Sequence, residues 1–255
     1  MRLNKYISGT GVCSRREADK WIEAGRVTCN GAVASLGTQV SDADQVCVDG
    51  RPVGVAKAPI YLALNKPVGI VCTTEPGVDG NIIDLLGHAE RIFPIGRLDK
   101  DSEGLILLTN DGDIVNEILR SENNHEKEYL VTVDRPITDL ALEMMAGGVK
   151  IMGELTKPCR VERSSASMFR MVLTQGLNRQ IRRMCSALGY KTQRLRRVRI
   201  INIELKTLRP GEWRELSGEE ISGLTRATPA ARHPRTNRTP APTATQGPPR
   251  GTPAR

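Results

Sequence analysis

Residues 93–109, Phe-Pro-Ile-Gly-Arg-Leu-Asp-Lys-Asp-Ser-Glu-Gly-Leu-Ile-Leu-Leu-Thr, set two short apolar runs around a polar loop bounded by Gly96 and Gly104. That pattern predicts strand, exposed loop, strand. The loop carries carboxylates at Asp99 and Asp101, with Arg97 and Lys100 beside them. A neighbouring cation favours the charged form of a carboxylate. Such an acid suits a nucleophile, or an anion that steadies positive charge on a sugar ring, better than a proton donor. Acids and glycines also build ordinary turns, so the loop by itself leaves a purely structural role open.

Two further stretches hold residue types that such a loop would need. Residues 176–189 predict a glycine-bounded helix with Ile181, Met184, Cys185 and Leu188 on one face. At 100° per residue Arg182 borders that stripe, whereas Arg179 and Arg183 point further out. Arg182 is therefore the arginine expected at a buried edge, paired with an acid. Tyr129 lies where the strand 126–133 leaves a charged segment. It reads either as an aromatic at a strand edge or as a flat ring on which a base stacks.

The elements that must position these residues follow from bulk properties and order. A chain of 255 residues with 39% hydrophobic content predicts two domains and a tail. The net charge of +8 is uneven: residues 179–199 hold eight basic residues and no acid, and residues 226–255 hold six arginines and no acid. The rest of the chain sums to −6, so basic segments sit on a mildly acidic body, as for a phosphate-rich partner. Six scattered cysteines form no CxxC or Cys/His pairing, which argues against a metal site and against a disulfide framework. No apolar leader and no run near the ~20 apolar residues of a membrane span appear, so the expectation is a soluble cytoplasmic protein without membrane association.

Residues 1–50 read as a small basic module. Leu3, Tyr6 and Ile7 recur at helical spacing, and Ser14-Arg-Arg-Glu17 forms a capping box ahead of a second helix. An Asn30-Gly31 hairpin and a strand at 45–48 follow. Lys5, Arg15 and Arg16 are its candidate RNA contacts, although charges on helix faces are often merely solvated. Residues 51–59 are rich in Pro, Gly and Ala and read as a linker. Residues 60–226 carry the strands and helices of a larger domain, including expected strands at 60–64, 70–73, 159–161, 169–173 and 200–205. Residues 227–255 consist mostly of Pro, Thr, Ala and Arg, and predict a disordered tail.

The first module, in its Leu-Asn-Lys-Tyr-Ile and Cys-Ser-Arg-Arg-Glu-Ala stretches, resembles the RNA-binding module of the S-four ribosomal protein type. Asn65-Lys-Pro-Val-Gly69, Gly96-Arg-Leu-Asp-Lys-Asp-Ser-Glu-Gly-Leu105, Lys127-Glu-Tyr129 and Gly176-Leu-Asn-Arg-Gln-Ile-Arg-Arg-Met184 resemble the bacterial ribosomal pseudouridine synthases of the RsuA family. Asn178-Arg179-Gln180 replaces the His-Gln of many relatives and, with His125-Glu-Lys-Glu-Tyr129, looks closest to the RluF type, which modifies 23S rRNA. The resemblance implies an α+β pseudouridine synthase fold on a mixed, largely antiparallel sheet. It also implies cofactor-free isomerisation of a uridine in ribosomal RNA, 23S rather than 16S, by a monomer. It assigns the essential carboxylate to Asp99, its basic partner to Arg182, base stacking to Tyr129, and the space left by the extruded base to Arg97. Arg179 and Arg183 join Lys5, Arg15 and Arg16 as RNA contacts. The rival is a non-catalytic rRNA-binding or ribosome-assembly factor, which would not need Asp99, Tyr129 and Arg182 together.

Overall fold

A computed structural model of the chain describes residues 1–75, 77–119 and 124–226. The expected tail at 227–255 lies outside the described residues. The amino-terminal module begins with α1 (Leu3–Gly9) and α2 (Arg15–Glu23), followed by strands β1 (Val27–Cys29), β2 (Ala32–Val33), β3 (Val46–Val48) and β4 (Arg51–Pro52), in sheet order β2-β1-β3-β4. Ser14 caps α2, its Oγ accepting the Glu17 N–H at 3.1 Å, a bond worth about 1 kcal/mol. Asn30 and Gly31 both take positive φ, the requirement of a two-residue hairpin whose twist matches its strands. Leu3, Ile7, Ala18, Ile22, Val27 and Val46 close a core of the module's own. The stretch read as a linker starts two residues later than expected, because Arg51 and Pro52 pair with β3 as an edge strand, where proline costs no ladder bond.

The larger body runs β5 (Tyr61–Lys66), α3 (Ile82–Leu86), β6 (Phe93–Ile95), β7 (Glu103–Thr109), α4 (Gly112–Leu119), β8 (Lys127–Val133) and α5 (Asp139–Gly147). It continues with the hairpin β9 (Lys150–Ile151) and β10 (Glu154–Leu155), then β11 (Arg160–Arg163), β12 (Met168–Leu173), α6 (Gln180–Ala187), β13 (Thr192–Ile200), β14 (Ile203–Glu204), β15 (Trp213–Glu215) and α7 (Gly218–Arg226). The main sheet has the order β11-β12-β8-β13-β7-β5-β15, with β6 added on β7 and β14 on β13. The pairs are antiparallel except β13 with β7, so the sheet is mixed and largely antiparallel, as the resemblance implied. α5 and α6 bury Leu142, Met145, Ile181 and Met184 against β8 and β12, while α4 and α7 cover β5 and β7.

Two strand expectations fail. Residues 70–73 contribute only a bridge from Val71 to Asn81, because the chain turns there to cap α3 with the Asn81 side chain. The basic run 192–200 is itself the long strand β13, and the apolar residues after it reverse through Ile201, at φ 54°, into β14. The parallel join sits at Gly104, where φ is 104° and a Cβ would lie 2.2 Å from the Arg197 carbonyl oxygen. Only glycine fits so close a backbone approach.

Candidate active site

β6 enters and β7 leaves the loop of residues 96–102. Three contacts fix its course. Leu98 is buried among Leu62, Leu64 and Ile106, and its N–H points to the Cys72 thiol sulfur at 3.4 Å. The Asp99 carbonyl accepts the Ser102 N–H at 3.0 Å, and the Lys100 carbonyl accepts the Gly69 N–H at 2.7 Å. The Asn-Lys-Pro-Val-Gly turn thus clasps the loop from behind. Lys66 in that turn is wholly buried, and its ammonium donates to the carbonyls of Pro67 and Ile70 at 2.8 and 3.0 Å. Burial pushes its pKa down.

Asp99 is about one-third exposed and meets Arg179, whose Nη1 lies 3.5 Å from Oδ2. The same guanidinium donates to both oxygens of Asp101, at 3.1 and 2.8 Å. Those bonds, helped by the Arg182 charge, hold the Asp101 carboxyl below the usual carboxylate range against an opposing effect of burial. Arg182 is not the partner of Asp99. It reaches under the loop, donating to the Asp101 carbonyl at 2.8 Å, the Ser102 hydroxyl at 3.2 Å and the Thr192 carbonyl at 3.4 Å.

The reason is the helix start. α6 begins at Gln180, and Arg179 precedes it with φ 50° and ψ 35°, a left-handed conformation that costs a non-glycine residue about 1–2 kcal/mol. Arg179 is therefore off the helical wheel. Arg182 does occupy the buried edge assigned to it, but at the height of Asp101 and Ser102. Arg183 folds back on Asn178, bonding its carbonyl and its side-chain oxygen at 3.0 Å each.

Asp99, Arg97, Tyr129 and Arg179 line one cleft of about 520 Å³. Its wall also holds two cations, the half-buried Lys127 and the buried Arg197, which in the sequence stand among motif spacers and RNA-facing charge. Arg197 is buried on β13; Nε donates to the Leu105 carbonyl at 2.7 Å, Nη1 lies 3.5 Å from the Arg97 carbonyl, and Nη2 has no partner among the described residues. Lys127 has its pKa pushed down by burial first and by the Arg197 charge second. An exposed Arg97 has no side-chain partner among the described residues, whereas Gln180 is buried and braces the preceding loop through the Leu177 N–H at 3.0 Å. Lys5 and Arg15 lie away from this cleft and meet Asp113 at the start of α4, at 2.5 and 3.3 Å; Arg16 is exposed on α2. Among the described residues no group of three or more His, Cys, Asp or Glu could hold a metal ion, and no helix is long and apolar enough to cross a membrane.

A carboxylate beside an arginine, an aromatic ring, a half-buried lysine and a buried arginine line one pocket, an arrangement suited to holding a flat ring and stabilising negative charge on it. Comparison with known proteins agrees. The pattern of the RNA pseudouridylate synthase family matches residues 60–187, and that of the S4 domain matches residues 1–46. The chain is 55% identical over 226 residues to the dual-specificity RNA pseudouridine synthase RluF of Escherichia coli O157:H7, covering 88% of this chain and 78% of that protein. It is 33% identical to the ribosomal large subunit pseudouridine synthase B of Bacillus subtilis (strain 168), covering 88% and 95% respectively. A pseudouridylate synthase crystal structure superposes with a TM-score of 0.65 at 31% identity, covering 88% of this chain and 99% of that one. With its loop, its cleft and its two matched segments in that order, the chain belongs to the RNA pseudouridylate synthase family.

Proposed function

We propose that the chain converts a uridine of large-subunit (23S) ribosomal RNA to pseudouridine, acting as a monomer without a cofactor, with Asp99 as the catalytic carboxylate. The observation that carries this reading is Asp99, 3.5 Å from the Arg179 guanidinium, in a cleft that also presents the Tyr129 ring. The rRNA assignment draws on the large-subunit name of the Bacillus relative and on the RluF-like Asn178-Arg179-Gln180 variant.

A target uridine leaves its stack at a cost of about a few kcal/mol. Arg97, exposed at the cleft and uncommitted, fills the vacated place, and Tyr129 stacks on the extruded uracil. Asp99 either attacks C1′ or removes a ribose proton. By both routes the N1–C1′ bond breaks, the uracil turns, C5 joins C1′, and the proton lost at C5 is balanced by one gained at N1. Uracil carries negative charge while it is detached, and the buried Arg197 and half-buried Lys127 stabilise it there. The Asn side chain is close in shape to Asp but is neither nucleophile nor base. Asp99→Asn is expected to lower turnover by at least ~10³-fold while RNA affinity and folding stay near wild type. Turnover near the wild-type rate on 23S rRNA would sink the assignment. Mapping pseudouridine in total RNA from a strain lacking the protein identifies the target, and loss from another RNA in place of 23S would correct the substrate.

A further inference from the structure

A second hollow of about 460 Å³ lies where the amino-terminal module meets the larger body. Tyr6 of α1, Arg15 at the start of α2, Arg91, Phe93 at the start of β6 and Asn116 of α4 line it. We infer that it is a second nucleotide site, holding one unpaired nucleotide of the same RNA a few residues from the target. This deepens the reading of the chain as an RNA-modifying enzyme and rests on it.

The chemistry is that of single-strand recognition. The Arg91 guanidinium carbon lies 5.9 Å from the centre of the Phe93 ring, a cation on a flat apolar platform. The Tyr6 hydroxyl, the Arg91 guanidinium and the Asn116 amide have no hydrogen bond or ion pair to the described residues, so they are free for a ligand. A base stacks on the ring, the amide meets a base edge, and the guanidinium takes a phosphate. The acids nearby are largely committed. Asp113 receives Lys5 and Arg15, and Asp111 receives the Tyr61 hydroxyl at 2.8 Å and the Asp113 N–H at 2.9 Å, leaving Asp42 at the rim.

Position links this hollow to the catalytic cleft. α4 offers Asp113 and Asn116 to the hollow and Ile118 and Leu119 to the cleft; β6 offers Phe93 to one and Ile95 to the other. Eight helical residues span about 12 Å and three strand residues about 10 Å. A nucleic-acid strand covers that distance in about two to four nucleotides. One strand therefore serves both sites, with its target uridine in the cleft and a neighbour on Phe93.

The test uses the full chain and deproteinised 23S rRNA. After ultraviolet irradiation and digestion, the expected result is a nucleotide adduct on Phe93 or Tyr6 in addition to any on Tyr129. Phe93→Leu and, independently, Arg91→Gln are expected to weaken rRNA binding about tenfold and to raise KM with kcat unchanged. Wild-type melting curves for at least one of them guard against misfolding. Adducts confined to Tyr129 or to the module's hairpin, or affinities unchanged in both variants, would overturn the site. So would displacement of the rRNA-dependent effect by free uridine or adenosine monophosphate at low concentration, which would mark a small-molecule pocket. Crosslinking needs no turnover, so an rRNA that crosslinks here but gains no pseudouridine would refute the activity and leave the site standing.

Discussion

Asp101 stands between two arginines, one of which also faces Asp99. Its carboxylate receives both terminal nitrogens of Arg179, which in turn stands 3.5 Å from Asp99. Asp101 is thus a positioning residue for the Asp99 cation rather than an ordinary turn former. Asp101→Asn and Arg179→Gln are each expected to lower kcat about 10- to 100-fold, with KM changing less. The double variant should be no slower than Arg179→Gln alone, since groups acting through one another are non-additive. Single-turnover rates on rRNA measure the cycle; independent, multiplying effects would separate the two residues.

Arg182 is expected to matter for the loop's stability before its chemistry. Its side chain is 13% exposed and supplies donors to Asp101, Ser102 and Thr192. Arg182→Met leaves those acceptors unpaired and should cost about 2–3 kcal/mol in urea unfolding. Arg179→Gln, at a site 40% exposed, should change stability by less than about 1 kcal/mol. Equal losses in the two would mean that the ion pairs contribute alike.

α7 is anchored by a titrating pair. Glu220 accepts both terminal nitrogens of Arg214 at 2.7 Å and the Ser217 N–H at 3.0 Å. The Arg214 bonds outweigh the opposing effect of burial and hold its pKa down to about 2. The folded value lies below the unfolded value of about 4.3, so the pair stabilises the fold above that pH. The contribution, about 3 kcal/mol, is lost as pH falls from about 4.3 through 2. Glu220→Gln should lower stability at pH 7 and flatten that acid dependence, as followed by urea melts at stepped pH. A wild-type slope in the variant would place the titration elsewhere.

The amino-terminal module closes its own core, and its contacts with the larger body include the ion pairs of Lys5 and Arg15 with Asp113. Removing residues 1–52 should leave a folded body that binds rRNA more weakly. Its log affinity should fall less steeply with log salt, because fewer phosphates are contacted. Filter binding from about 50 to 200 mM salt measures the slope, and an unchanged slope would mean that the module does not touch the backbone.

The strand–loop–strand around Asp99 was legible because short apolar runs and the glycines bounding the loop mark β6 and β7. The amino-terminal hairpin was legible through Asn30-Gly31, and the mixed sheet through the motifs that carry the family resemblance. Arg179 rather than the expected Arg182 faces Asp99 for a local reason. Nothing in an arginine announces a left-handed backbone, which non-glycine residues rarely adopt, so the wheel was counted across a residue that is not helical. Arg197 was hidden inside a basic run that reads as RNA-facing, and Lys66 is wholly buried although lysine almost never is. Strands of two or three residues such as β9, β10, β14 and β15 are too short to show a period.

Gly104 has a consequence for when the enzyme comes into being. The join it permits is, among the described residues, the one parallel strand pair of the main sheet, and it brings β13 beside the strand that leaves the Asp99 loop. Arg179 and Arg197 reach that loop across 80 and 100 residues of chain, so their pairing closes a long stretch against its entropy. A nascent chain that has emerged only through β12 already contains Asp99 and Tyr129, but on two strand sets that β13 has yet to join, and it lacks Arg179 and Arg197. The cleft therefore acquires the charges of Arg179 and Arg197 late in synthesis, when α6 and β13 dock.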